Sequence, residues 1–206
     1  MYHPVFQPGD LIGFSGFDPP SIVVNVATLG IPGRDLTHVG QLIEWRGKLA
    51  LAESTGLCGL PCLYHEVPVF GVQFHPLADR VRTYRGRVWH YPLTKLGRRD
   101  FDPRALRRFW WRHRNAGYDL TQAIDSRDLA FGWLIRRFGR EHLEHLYCSE
   151  AVAAGWRESR AWKIANASVW SPRRLEREAQ VTQGIIGPRR RLVHIENIGL
   201  CYAGGS

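Results

Sequence analysis

The stretch THVGQLIEWRGKLALAES, residues 37 to 54, constrains the fold more than any other part of the chain. Apolar and polar positions alternate on both sides of Arg46-Gly47, the pattern of two strands joined by a two-residue turn. With the turn there, Leu42 faces Leu51 and Gly40 faces Glu53, and His38 lies diagonally across from Glu53 on one sheet face. Arg-Gly is a weaker turn pair than Asn-Gly, and a slip of one residue would send the partners of Glu53 to the other face. In the expected register, an imidazole and a carboxylate come within reach of each other.

Around this hairpin the first half of the chain reads as strands and the second as helices, an α+β arrangement over one domain, residues 1 to 206. LIGF after Pro8-Gly9-Asp10 is a first strand, and segments 67–74, 78–84 and 86–93 extend the sheet. PPSIVVNVATLG carries Ser21 as a helix cap and Gly30 as a stop, although its β-branched residues favour a strand. Asp102-Pro103 opens a helix through RALRRFWWRHR that closes at Asn115-Ala116-Gly117. A second helix is expected after Tyr118, with Asp119 as cap and Gln122 at capping-box spacing, and a third at Cys148. A short charged helix follows Ser171-Pro172, a last strand covers 192–196, and Gly204-Gly205-Ser206 is a frayed end. Phe109, Trp110 and Trp111 are expected to feed a core face, and His142 and His145 to lie on the surface.

The net charge of +9 would suit a nucleic-acid or anionic-envelope partner, with arginines clustered at 104–114 and 188–191. There is no zinc finger, RNP-type strand or GxxG clamp, so the arginines read as a solvated face and a nucleic-acid partner is not expected. The apolar run at 21–31 is about half the length of a bilayer span, so no transmembrane segment is expected. MYHPVFQPGD lacks the parts of a secretory signal, which points to the cytoplasm, with delivery to the envelope by another route as the alternative. The four cysteines are not spaced as a disulfide framework and fit a reducing compartment. Cys58, Cys62 and His65 could offer three zinc ligands, but a fourth lacks a spacing partner; a loop with a Gly-Leu-Pro turn is the expectation, with no metal and no cofactor.

In HLYCSEAVAAGW, residues 145 to 156, a cysteine stands where an alanine-rich helix begins. Cys148, Val152, Gly155 and Trp156 share one helix face, which is expected to pack inward. A thiol attacks as the thiolate, and a helix N-terminus together with an imidazolium favours that anion. The imidazole must in turn be oriented by a carboxylate, amide or second histidine. Cys148, His38 and Glu53 supply each part, but nine histidines and 19 acidic residues make some such trio common by chance. On patterns alone Cys148 reads first as a small core residue, and His38 can be read as a satisfied strand histidine. Glu44 competes with Glu53, although six residues along one strand set it roughly 20 Å from His38.

The segments GDLIGF (9–14), THVGQLIE with LALAES (37–44 and 49–54), GVQFHPLADRV and GRVWHYPL (71–93), GYD (117–119), LYCSEAVAAGW (146–156) and ANASVWSPRRLERE add a further signal. In this order they resemble the permuted papain-like hydrolases of the NlpC-like superfamily, most of all the YiiX/YaeF type, of bacterial or phage origin. The resemblance runs over most of residues 9 to 180. It implies a circularly permuted papain-like fold, an antiparallel half-barrel sheet with packed helices, in which the histidine strand precedes the cysteine helix. By this resemblance Cys148 matches the nucleophile, His38 the general base and Glu53 the residue that orients the histidine. The chain departs from the family at Gln41, where an apolar residue is usual, in lacking the export signal many members carry, and in the insert with Cys58 and Cys62.

The expected function is thiol-dependent hydrolysis of an amide or isopeptide bond, with cell-wall peptide as one candidate substrate. The alternatives are a lipid-directed acyltransferase or thioesterase acting on a lipid-like acyl group, and a non-enzymatic basic binding module. A fold and a triad do not specify the leaving group.

Overall fold

Arg46 and Gly47 both take positive φ, 48° and 78°, the two left-handed positions that a type I′ hairpin turn requires. The turn joins β2 (His38–Trp45) to β3 (Lys48–Thr55), and the ladder pairs Gly40 with Glu53 and Leu42 with Leu51, the expected register. The computed structural model describes residues 4–16, 35–56, 58–118, 146–196 and 199–203. The expected helices at 20–30 and after Tyr118, with Asp119 and Gln122, lie outside the described residues, as do His142, His145 and Gly204 to Ser206.

The other strands are β1 (Leu11–Gly16), β4 (Gly71–His75), β5 (Gly86–Tyr91), β6 (Arg190–Ile195) and β7 (Gly199–Tyr202). They form one sheet in the order β4-β3-β2-β1-β5-β6-β7, with each pair antiparallel. The helices are α1 (Leu77–Thr83), α2 (Lys95–Arg98), α3 (Pro103–Arg112), α4 (Cys148–Glu158) and α5 (Pro172–Arg177), the last running on into a π-helical turn at Glu178–Thr182. The fold is a mixed α and β one with a seven-stranded antiparallel sheet.

Segment 78–84, expected as a strand, is helical instead. Pro76 stands at its N-cap, and Leu77, Arg80 and Val81, at i, i+3 and i+4, form its buried face. Val67 and Phe70 are exposed, so the strand expected from residue 67 begins only at Gly71. β7 was not foreseen: it is a four-residue strand pairing with β6. α3 begins as expected, with the Asp102 carboxylate accepting from Arg104 N and Ala105 N. Phe109 and Trp110 are buried, but Trp111 is 45% exposed; it helps line a cavity of about 390 Å³ with Trp45, Phe74 and Arg107.

α4 packs on β2 and β3 across one face of the sheet and is covered by α3, α5 and the short turn at Ala167–Val169. Covered on both sides, every residue from Cys148 to Trp156 is buried, not one stripe alone. Close approach of helix to sheet depends on Gly155, where a Cβ would sit 2.5 Å from Gln41 Oε1. That same oxygen accepts from Trp110 Nε1 at 2.9 Å, which accounts for a polar residue on a core-facing strand position.

On the other face, α1 touches both β3 and β6, strands separated by β2, β1 and β5. In a flat sheet those two would stand about 19 Å apart, wider than a helix of about 10–12 Å. The sheet therefore curls around α1, enclosing Ile12, Phe14, Leu42, Leu51, Leu77, Val81, Val88 and Leu192 in a second apolar cluster. Asp10, at the head of β1, holds the opening of the fold together: it accepts from Leu93 N and His90 Nε2, each at 2.9 Å, and pairs with Arg98. Its two oxygens are fully used in joining β1 to β5 and α2, so Asp10 is a structural residue.

Candidate active site

His38 is the first residue of β2 and Cys148 the first of α4, so a strand start and a helix start meet at one end of the molecule. The Cys148 side chain lies beside the His38 ring, close enough to act on its protonation. The other side of the ring is held by Glu53, whose Oε2 lies 2.6 Å from His38 Nε2, which leaves Nδ1 as the nitrogen that can serve the thiol. Gly40 makes this diagonal contact possible: a Cβ there would meet Glu53 Cβ at 3.1 Å and Leu51 Cδ1 at 2.8 Å. Glu44, the competing carboxylate, is exposed at the turn end and pairs with Arg107 at 3.3 Å.

The third charged partner of this network is Arg80, on α1, which the sequence reading passed over. Its Nε donates to Glu53 Oε1 at 2.7 Å and its Nη2 approaches Oε2 at 3.4 Å. The guanidinium lies over the Phe14 ring at 4.7 Å and the Tyr84 ring at 5.2 Å, and Phe14 is the ladder partner of His38. The sequence signal was Pro76 followed by Leu77 and Val81 four residues apart, a helix start that aims Arg80 at the sheet.

Burial raises the cost of charge on Glu53, but the Arg80 guanidinium and the His38 ring outweigh it and hold the carboxyl well below the usual carboxylate range. Burial alone would pull the His38 imidazole down. The negative charge and hydrogen bond of Cys148, followed by those of Glu53, overcome it and raise the pKa to about 9. At neutral pH His38 is therefore an imidazolium held against the ionised Glu53 carboxylate.

The segment ahead of the helix is pinned by backbone contacts. Ser54 Oγ, beside Glu53 on β3, donates to Leu146 O, and Leu146 N donates to Gly117 O at 2.9 Å. Tyr147 OH bonds Ser168 O and Ser149 Oγ bonds Trp170 O, tying both flanks of Cys148 to the segment before α5. Tyr147, the N-cap residue, makes no side-chain cap, so the first-turn N–H groups of α4 keep their positive end for an anion.

A second group of buried side chains adjoins the first. His75 Nε2 lies 3.8 Å from Glu53 Oε1 and 3.5 Å from Cys58 Sγ, so Glu53, Cys58 and His75 form a Glu-Cys-His cluster. The three residues expected as a loop, Cys58, Cys62 and His65, do not converge. Cys62 Sγ accepts from Phe74 N at 3.3 Å and Tyr64 N at 3.5 Å, and His65 Nε2 faces Arg114 O at 3.1 Å.

No family model and no curated protein matches the chain. Among solved structures, the metalloprotein yiiX from Escherichia coli O157:H7 is similar at 16% identity and a TM-score of 0.47, with 97% of each chain covered. No helix among the described residues is long and apolar enough to cross a membrane.

Proposed function

We propose that the chain is a thiol-dependent hydrolase, an amidase or peptidase built on one permuted papain-like domain over residues 1–206, with Cys148 as nucleophile, His38 as general base and Glu53 as the residue that orients His38. The observation that carries this reading is the continuous contact from Cys148 through the His38 ring to Glu53, with the thiol at an uncapped helix N-terminus. An imidazolium beside the sulfur favours the thiolate and holds a proton for the leaving group.

The thiolate attacks an amide or isopeptide carbonyl carbon. A C–S bond forms and the carbonyl electron pair moves to oxygen, where the Cys148 backbone N–H donates to it. Collapse of that intermediate breaks the C–N bond, and the His38 proton passes to the departing nitrogen. Water, deprotonated by His38, then hydrolyses the thioester and restores the thiol. Glu53 keeps its charge through both half-reactions, fixing the ring and stabilising its protonated form, as the carboxylate does in other triads. The bond cleaved in this reading is an amide or isopeptide, with cell-wall peptide as a candidate substrate.

Alkylation by iodoacetamide near pH 6, mapped by mass spectrometry, tests the proposal. Cys148 is expected to react ahead of Cys58 and Cys201, and His38→Ala to slow it by about tenfold or more. Equal rates at the three cysteines together with no effect of His38→Ala would overturn it.

A further inference from the structure

We propose that Glu53, Cys58 and His75 form a binding site for one thiophilic divalent cation, zinc in particular, adjoining the Cys148–His38 pair. A tetrahedral zinc ion bound through sulfur at about 2.3 Å and nitrogen at about 2.0–2.1 Å sets those two atoms about 3.5 Å apart. Cys58 Sγ and His75 Nε2 stand 3.5 Å apart, and Glu53 Oε1 lies 3.8 Å from the same nitrogen. All three ligand atoms lie within 4.8 Å of one another, and a fourth position is left to water, as in zinc sites with three protein ligands. A thiolate, an imidazole and one carboxylate select zinc or cobalt over magnesium or calcium, which prefer an all-oxygen shell.

The surroundings fit an ion better than they fit the three groups alone. Burial holds His75 below its ordinary pKa, so the ring is neutral, as a ligand must be. His75 Nδ1 is buried without a hydrogen-bond partner, and the Pro61 carbonyl beside the ring can take its proton once Nε2 turns from Gln73 Oε1, 2.9 Å away, to the metal. Cys58 lies on the chain just after β3 and is buried. On binding, the Cys58 S–H bond breaks, its proton goes to solvent and an S–metal bond forms. Arg80 yields its contact with Glu53 Oε1 and keeps the one with Oε2. The binding site stands apart from the hydrolase proposal.

The test is zinc titration of the full chain after removal of metal with a chelator, read as metal per chain after gel filtration and as thiolate-to-metal absorption with cobalt. One ion per chain is expected, held about a hundredfold more weakly in Cys58→Ser and in His75→Gln and unchanged in Cys148→Ser. Unaltered binding in Cys58→Ser, loss in Cys148→Ser, or no binding by the wild-type chain would each overturn the site; Cys58→Ser changes one atom and its fold is checked by circular dichroism. Alkylation of metal-free protein reads the hydrolase proposal separately.

Discussion

His38 and Glu53 face each other diagonally across the β2–β3 ladder, with Nε2 and Oε2 2.6 Å apart and the carboxylate fully buried. A carboxylate this close shares its charge with the ring at every pH at which both are ionised, and it acts beside Cys148, the leading upward influence on the ring. In NMR titration of the histidine ring protons, His38 is expected to titrate at about 9 in the wild-type chain and distinctly lower in Cys148→Ala. An unchanged midpoint in that variant would mean the thiol does not charge the ring. The proposed hydrolase activity is expected to fall on the alkaline side, as His38 would lose the proton meant for the leaving group.

The same shifts set the pH dependence of stability. A histidine pKa raised in the folded state contributes fully below its ordinary 6.5 and loses that contribution as pH rises through about 9. Glu53 is depressed, so its contribution is present above its ordinary 4.5 and is lost only at strongly acid pH. Denaturation in urea across this range is expected to show stability declining between these His38 limits, and a flatter profile in His38→Gln.

Arg80 and Glu53 are buried partners, with side chains 8% and 0% exposed. Removing one leaves the other uncompensated, which costs about 3–5 kcal/mol. Arg80→Met and Glu53→Gln are each expected to lose stability on that scale in urea, and the double variant to lose less than the sum, which a double-mutant cycle reads directly. Additive losses would separate the two residues energetically.

Gly40→Ala places a methyl against Leu51 Cδ1, Ala52 O and Glu53 Cβ, all within about 3 Å. Overpacking of this kind costs about 1–3 kcal/mol, and here it also displaces the carboxylate. The variant is expected to slow Cys148 alkylation more than Leu42→Val, a core change on the same strand that leaves Glu53 alone.

Trp110→Phe removes the donor to Gln41 Oε1 while Gln41 Nε2 already lacks a partner. Leaving a buried amide unpaired costs about 1–3 kcal/mol. Pairing the change with Gln41→Leu is expected to recover part of the loss, measured as the shift in urea midpoint at constant slope.

The hairpin was legible because alternation and an Arg-Gly turn act locally, and the ladder follows them residue for residue. α4 was legible by its start at Cys148, since a helix of small residues has few other ways to pack. α1 was not: in seven residues, Val81, Thr83 and Tyr84 imitate a strand, and only Pro76 marks a helix start. Arg80 was missed for the same reason, since its partner lies 27 residues back and reaches it only through the curl of the sheet. Trp111 was read with its two neighbours as core, yet a helix turns about 100° per residue, so three consecutive aromatics cannot all face inward. Cys58 drew attention through Cys62, its neighbour in sequence, whereas the fold pairs it with His75.

The meeting of a strand start with a helix start has a kinetic consequence. His38 and Cys148 belong to opposite faces of the sheet and to distant parts of the chain, so no hairpin or isolated helix can bring them together. Contacts of such long range form late, after the chain has met the entropy of closing the intervening loop. In the proposed mechanism, a nascent or half-folded chain therefore carries an ordinary thiol, without the activation that His38 would give. The activated reactivity proposed for Cys148 is expected only when both layers have closed, and its rate of appearance during refolding would be a clock for the last step of assembly.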